Sequence, residues 1–422
     1  MTWILVIITL GIFISSLFTI KEKFNPLTLF SGFWLIIMFL STLELYNIKR
    51  AETEVYLIVS IGVFCYAIGC FISSRIKLKI ILNSKFNNSY VKNDNINYKM
   101  LYKVIIVVSI VMVMYFLRVA ASMLLGYPLN YIRSNFSTII IKSELERLSW
   151  TFIFYPLSIS IMPMGLYAFY VGRRSLWYFW ASLLNTILLS ISSGGRVFLM
   201  YYIIEFVFFV MLTKDRLSGL KKLYRNLSVA LIAIVCIGIM VYISNERQIQ
   251  SSPLENLYSY FVGCFPYFEY KLKSIDMVDQ GFGMYFLNAP ITLVLMVFKN
   301  IGLINYPESY LKVQSTINAL QEYTRIGNNW FNAFGTCFYY YYADYGLIGV
   351  ELCSLLYGFF SYNVFKNLQK KVSARNTILY SIILISIFTS MIRWQFARPE
   401  FFMSVVYIIA LTRNKSVMME ES

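Results

Sequence analysis

The chain has 422 residues, of which 58% are hydrophobic and only 14% charged, and its mean hydropathy is +0.63; that composition excludes an ordinary soluble domain and fits a helix bundle in lipid. The formal charge of +16 does not read as a nucleic-acid surface, because the Lys and Arg recur in short loops between apolar runs, as the positive-inside rule requires. There is no histidine, which removes His-based acyltransferases, His-ligated haem or zinc sites and Ser-His-Asp hydrolases together.

Apolar runs of membrane-crossing length predict eleven spans, at roughly 2–20, 27–45, 55–74, 102–125, 151–171, 176–192, 197–213, 227–244, 345–365, 377–394 and 400–412. The first run lacks a basic lead and a small-residue cleavage site, so it is read as a retained span. Orientation follows from Arg75, Lys77, Lys79, Lys85, Lys92 and Lys99, which make the 75–100 loop strongly basic and therefore cytoplasmic. Alternation then puts Arg173/Arg174, Lys214–Arg225, Lys366–Arg375 and Arg413/Lys415 on the same side. The expected map has the N-terminus outside, the C-terminus in the cytoplasm, and the loops 126–150 and 245–344 external. Its three blocks are an N-terminal bundle (1–244), a large external loop (245–344) and a C-terminal bundle (345–422).

Within the long loop, Ser251 and Ser252 before Pro253 and Glu255 form a helix-start signal. Leu257, Tyr258, Phe261, Phe265, Phe268 and Leu272 then follow helical spacing, which predicts an amphipathic interfacial helix over 253–275. Gly281-Phe282-Gly283 is an isolated turn signal. The apolar stretch 284–304 contains Asn288, Pro290 and Lys299. It reads as re-entrant or interfacial, because a single crossing would turn the basic Lys366–Arg375 loop outward. Four of the six cysteines fall in predicted spans, while Cys264 and Cys337 lie in the loop and are either packing residues or a disulfide pair.

By this map arginines gather on the external face. Arg196 ends the short Ser192-Ser193-Gly194-Gly195 turn, Arg133 opens the 126–150 loop, Arg247 leaves a span, Arg325 precedes GNNWFNAFG, and Arg393 and Arg398 bracket the last external turn. Each is either a snorkelling anchor or part of a clamp for a diphosphate, which the planar guanidinium fork holds bidentately. Arg118, inside the fourth span, either pairs within the bundle or snorkels. A hydroxyl attacking beside a bound diphosphate needs a base, and without histidine that is a carboxylate. Asp344 in YYYYADYGLIG is the first candidate, with Glu246, Glu269 and Glu400 as alternatives. Its other reading is a cap for the span that follows. Tyr339–Tyr342 either stack on sugar rings or form an interfacial aromatic belt.

The segments FNPLTLFSGFWLIIMFLS, ISSGGRVFLMYYIIEF and GNNWFNAFGTCFYYYYADYGLIGVELCSLLYGF resemble the Wzy-type O-antigen or oligosaccharide repeat-unit polymerases of bacteria. The likeness runs end to end in span number, late external loop and order of elements. It implies an all-α, polytopic bundle like the C-type glycosyltransferases, working without metal or cofactor in the bacterial cytoplasmic membrane. It also implies transfer of a growing glycan from undecaprenyl diphosphate to a repeat unit on a second undecaprenyl diphosphate, beside a flippase and a chain-length regulator of the same pathway. By that resemblance Asp344, Arg196 and Arg325 are catalytic positions, and Arg133, Arg247, Arg393, Arg398, Asn328 and Tyr341 contact the diphosphate or glycan. The rival readings are a flippase for the same lipid-linked units, in which two similar halves are expected, and another lipid-linked glycosyltransferase with acids in the first external loop, here Glu44, Glu52 and Glu54.

Overall fold

The computed structural model describes residues 1–19, 22, 24–75, 96–213, 238, 253–273, 280–322, 324–326, 329–331 and 335–412. These are almost wholly helical. In order they are α1 (Thr2–Thr19), α2 (Pro26–Ser41), α3 (Thr53–Arg75), α4 (Tyr98–Leu124), the short α5 (Leu129–Ser134), α6 (Phe136–Ile139) and α7 (Glu144–Ser149), then α8 (Tyr155–Tyr170), α9 (Leu176–Ser193) and α10 (Val197–Leu212). After them come α11 (Pro253–Val262), α12 (Cys264–Leu272), α13 (Asn288–Asn300), α14 (Glu308–Ala319), the hairpin β1 (Thr324–Ile326) and β2 (Asn329–Phe331), α15 (Thr336–Lys370), α16 (Ala374–Phe388) and α17 (Pro399–Leu411).

Five helices are long and apolar enough to cross a membrane: α3, α4, the continuous Glu144–Tyr170 run, α9 and α15. Five more apolar helices, α1, α2, α10, α16 and α17, are shorter. Ten of the eleven predicted segments therefore coincide with a helix, and the eleventh, 227–244, lies outside the described residues apart from Gly238.

The chain divides into two compact units that cut across the chain-order blocks. The first comprises Met1–Asn87, Ser251–Lys371 and Ser386–Pro399; the second Asn88–Gln250, Val372–Ile385 and Glu400–Ser422.

The spine of the first unit is α3 packed on α15, and glycine sets how closely they approach. A Cβ on Gly69 would sit 2.0 Å from the Leu355 carbonyl oxygen, and one on Gly358 would sit 2.1 Å from the Tyr66 carbonyl oxygen. Small residues let membrane helices touch backbone to backbone, where dispersion contacts and weak hydrogen bonds replace the hydrophobic driving force that lipid does not supply. The Cys70 thiol donates to the Gly358 carbonyl at 3.3 Å. Around this spine lies an aromatic core: Phe30 stacks on Tyr66 at 4.0 Å, Trp34 meets Phe338 at 4.9 Å, and Trp34 Nε1 donates to Ser390 Oγ at 3.0 Å. Each such ring pair adds about 0.5–1.5 kcal/mol beyond its buried area.

The predicted interfacial helix over 253–275 is instead two helices that join this core. They break at Gly263, where a Cβ would collide with the Phe331 ring at 2.4 Å. Cys264, Phe265, Tyr267 and Phe268 are buried, and Phe265 packs on Tyr56 at 4.6 Å. Helical spacing of apolar residues suits a buried helix as well as an interfacial one, and burial won. Cys264 and Cys337 are both free thiols, so neither forms the disulfide that sequence left open. Lys273 bridges Glu52 and Glu269 at 2.7 Å each, and those two carboxylates raise its pKa. Glu44 pairs with Arg50 at 3.7 Å. Two of the first-loop acids are thus in ion pairs, and no group of three metal-ligating side chains occurs among the described residues.

In the second unit, α8 and α9 pack through Gly165, where a Cβ would meet the Ser182 side chain at 2.5 Å. The Asn185 amide donates to the Ser158 carbonyl at 3.2 Å. Ser160 donates to the Ser404 carbonyl at 3.0 Å and the Tyr407 hydroxyl to the Phe152 carbonyl at 2.8 Å, tying α17 to α8 and the π-helical turn Trp150–Phe154 before it. Arg118 pairs with Glu146 and donates to the Ile140 carbonyl at 3.0 Å, which settles its two sequence readings in favour of pairing.

Candidate functional site

The site in the first unit begins with a break in α15. Tyr345 (φ −146°, ψ 26°) and Gly346 (φ 61°, ψ −140°) leave helical geometry, and the positive φ at Gly346 is one that glycine adopts without a Cβ penalty. A broken helix exposes the carbonyls of its last turn. Two of them are recovered by a loop some sixty residues earlier: Gly281 N–H donates to the Ala343 carbonyl at 2.9 Å and Phe282 N–H to that of Asp344 at 3.4 Å.

The Asp344 side chain completes the joint. Its Oδ1 accepts Gly283 N–H at 2.9 Å and Tyr285 N–H at 3.0 Å, and its Oδ2 accepts Phe286 N–H at 2.8 Å. The residue is fully buried. It is therefore a cap, but for the 281–287 loop and not for the helix that follows it. Both oxygens are engaged by backbone donors, so general-base chemistry at Asp344 would require this joint to open. The loop is made for the contact: a Cβ on Gly281 would lie 2.8 Å from Asp344 Oδ1 and 2.4 Å from the Tyr285 ring, and Gly283 has φ +89°.

From this joint the order passes to the arginine turn. Phe286 stacks on Trp394 at 5.1 Å with 9° between the planes, and Trp394 Nε1 donates to the Phe286 carbonyl at 3.0 Å. Asn288 Nδ2 donates to the Ala397 carbonyl at 3.0 Å. The turn 393–398 is thus pinned at two points, and its flanking arginines, both half-buried, lie within electrostatic reach of the Tyr340 hydroxyl. Arg393 also acts on Tyr267, whose hydroxyl donates to the Leu320 carbonyl at 2.8 Å. Lys271 reaches the neighbouring Ala319 carbonyl at 3.3 Å and lies 5.5 Å from the Tyr267 ring centroid. Burial holds its ammonium below the usual lysine pKa, partly offset by Glu322. Three cations therefore lie around Tyr340 and Tyr267, and since the Tyr267 proton is already given to Leu320, it is the cations that suit the setting to an anion.

The other expected site residues are distributed as follows. Tyr341 is fully buried, with Phe286 at 5.6 Å and Trp394 at 5.4 Å. It is core, and so are Tyr339 and Tyr340, because α15 begins at Thr336 and takes the tyrosines into the helix; they are not a belt at the loop's edge. Thr324 meets Tyr267, and Arg325, the next residue on β1, is exposed on the opposite face, as strand alternation dictates. Arg196 immediately precedes α10, without a side-chain capping bond, and Arg133 lies on α5, both in the second unit. The Arg133 stem lies beside Gly194, 3.4 Å from where a Cβ would be. Gly194 has φ +59° and closes α9, with its N–H on the Ile191 carbonyl. Arg247, Asn328 and Glu246 lie outside the described residues. Glu269 is in the Lys273 ion pair, and Glu400 begins α17 in the second unit.

Sequence reasoning missed Lys271 and Tyr267, and it read the GFG loop as an isolated turn. The GFG spacing was the available signal; its partner was not visible because it is distant in sequence. Comparison with protein-family models, with curated proteins and with solved structures finds no match to this chain.

Proposed function

We propose that this chain is a membrane-embedded glycosyltransferase that polymerises lipid-linked oligosaccharide repeat units, with the diphosphate held at the Arg393–Arg398 turn. The observation that carries this reading is that turn. The turn that carries the two arginines is fixed by a stacked Trp394 and two hydrogen bonds to the 281–288 loop, beside Lys271 and Tyr340. Arginine forks match diphosphate oxygens bidentately, and a preorganised cationic site stabilises the charge that develops on a departing diphosphate. Arg325, on the hairpin next to Tyr267, is proposed as a further contact to the lipid-linked substrate, and Arg133 and Arg196 of the second unit are each proposed as phosphate contacts in their own right. In this reading the substrates are undecaprenyl-diphosphate-linked glycans, the arginine face is external to the bacterial cytoplasmic membrane, and a flippase and a chain-length regulator act alongside.

The carrier reading has one feature in its favour, the discontinuous α15, since transporters place substrates at broken helices. Deletion of the coding gene separates the two. A polymerase defect leaves single repeat units on lipid that reach the external leaflet, whereas a carrier defect leaves them cytoplasmic. Wild-type polymer in the deletion strain would refute both.

A further inference from the structure

Helices α13 and α14 form an antiparallel hairpin. The Tyr310 hydroxyl donates to Thr292 Oγ1 at 3.0 Å and the Gln314 amide to the Asn288 side chain, so rising numbers on one helix meet falling numbers on the other. Asn288 in turn is bonded to the Ala397 carbonyl. The face of α13 carrying Asn288 and Thr292 is therefore committed to protein. A different face is not: Val294, Val297, Phe298 and Ile301 are 52%, 51%, 42% and 65% exposed, and their spacing of three, four and seven from Val294 lines them along one stripe. Leu303 and Ile304 extend it beyond the helix at 65% and 40% exposed.

The stripe holds no charge. Lys299, seven residues from Thr292, lies on the α14 side, with its ammonium 4.2 Å from the Tyr306 ring centroid. Lys312 stands on α14 among polar residues. An apolar stripe flanked by cations and an aromatic is the pattern of a helix lying in the headgroup boundary, acyl chains below and anionic phosphates beside the lysines. At 13 residues α13 is about 20 Å long, short of the roughly 30 Å hydrocarbon core, and the chain returns through α14 instead of crossing. The unit that carries the hairpin also contains α3 and α15, both of membrane-crossing length, so the hairpin belongs to a unit with membrane-crossing helices.

We propose that the α13–α14 hairpin is a monotopic lipid contact, its Val294–Ile301 stripe seated in the acyl region of one leaflet and Lys299 at the phosphates. The placement does not depend on the enzymatic reading. It predicts that a photoreactive side chain on the stripe attacks phospholipid.

The test uses the full chain carrying Phe298→p-benzoylphenylalanine, reconstituted in vesicles of phosphatidylethanolamine and phosphatidylglycerol without polyprenyl lipid, irradiated and read by intact-protein mass. The expected result is a mass increase of one phospholipid. Lys312→p-benzoylphenylalanine, on the polar helix, should show none. A covalent dimer at position 298 would assign the stripe to a second copy, and a protein without adduct would assign it to water; either overturns the proposal. Val294→p-benzoylphenylalanine repeats the test one turn away if the first variant does not fold.

Discussion

The two arginine groups are built differently. In the first unit, Arg393 and Arg398 stand on a turn whose backbone and tryptophan are fastened to a loop that Asp344 clamps with three N–H bonds. In the second, the Arg133 stem lies beside the left-handed Gly194 that closes α9, Arg196 follows two residues on, and the turn between them is held by its own local bonds, Gly194 and Gly195 N–H to the Ile191 and Ser190 carbonyls. A preorganised cation contributes more to binding than one that must be ordered by its ligand, because the entropy of ordering is already spent. The first group is thus the one expected to carry the chemistry.

The largest effect falls on the clamp. Asp344→Asn replaces an acceptor oxygen with an amide that faces the Phe286 N–H, donor against donor. Hydrogen bonds to a charged group contribute about 1.5–3 kcal/mol each, so we expect a loss of roughly 3 kcal/mol, read as a lower unfolding temperature in detergent together with loss of polymer. Gly281→Ala should reproduce it by collision with Tyr285. Unchanged thermal stability with lost activity would return Asp344 to the role of base.

Next come Arg393→Lys and Arg398→Lys, which keep the charge and lose the fork. Polymer yield should fall roughly tenfold to a hundredfold at unchanged membrane level and unchanged unfolding temperature. Arg196→Lys and Arg325→Lys should lower it only about threefold, because neither stands on the pinned 393–398 turn and a single peripheral ion contact contributes little. Equal losses in all four would erase the distinction between the groups.

The smallest effect concerns pH. Because burial lowers the Lys271 pKa, its charge is lost at lower pH than that of a solvent lysine, which titrates near 10.4. Substrate binding should therefore weaken early on the alkaline side, and Lys271→Arg should carry the limb upward without changing turnover at neutral pH. A KM profile over the alkaline range checks this, and identical limbs would remove Lys271 from the site.

Most helices were legible because an apolar run near twenty residues long is seldom anything but a helix in lipid. What the runs do not encode is which helices adjoin. The close approach of α3 and α15 depends on Gly69 and Gly358, nearly three hundred residues apart, and nothing in either neighbourhood names the other. The same limit hid the clamp: Asp344 reads as a base or a cap by residue type, and Gly281-Phe282-Gly283 as a turn, but their union is a long-range contact. Tyrosine is ambivalent between core and membrane boundary, which is why residue type alone puts the start of α15 after the tetrad Tyr339–Tyr342. The arginine turn itself was visible, as charge that lipid does not tolerate without a reason.

Polymerase activity at the arginine turn is most directly tested by purifying the protein, reconstituting it in vesicles and supplying undecaprenyl-diphosphate-linked oligosaccharides from the host. The products are then resolved by length, beside the Arg393→Lys, Arg398→Lys double variant. The wild type should give a ladder of polymer and the variant single units alone. Single units alone with both proteins, or a ladder of equal length and yield with both, would contradict it.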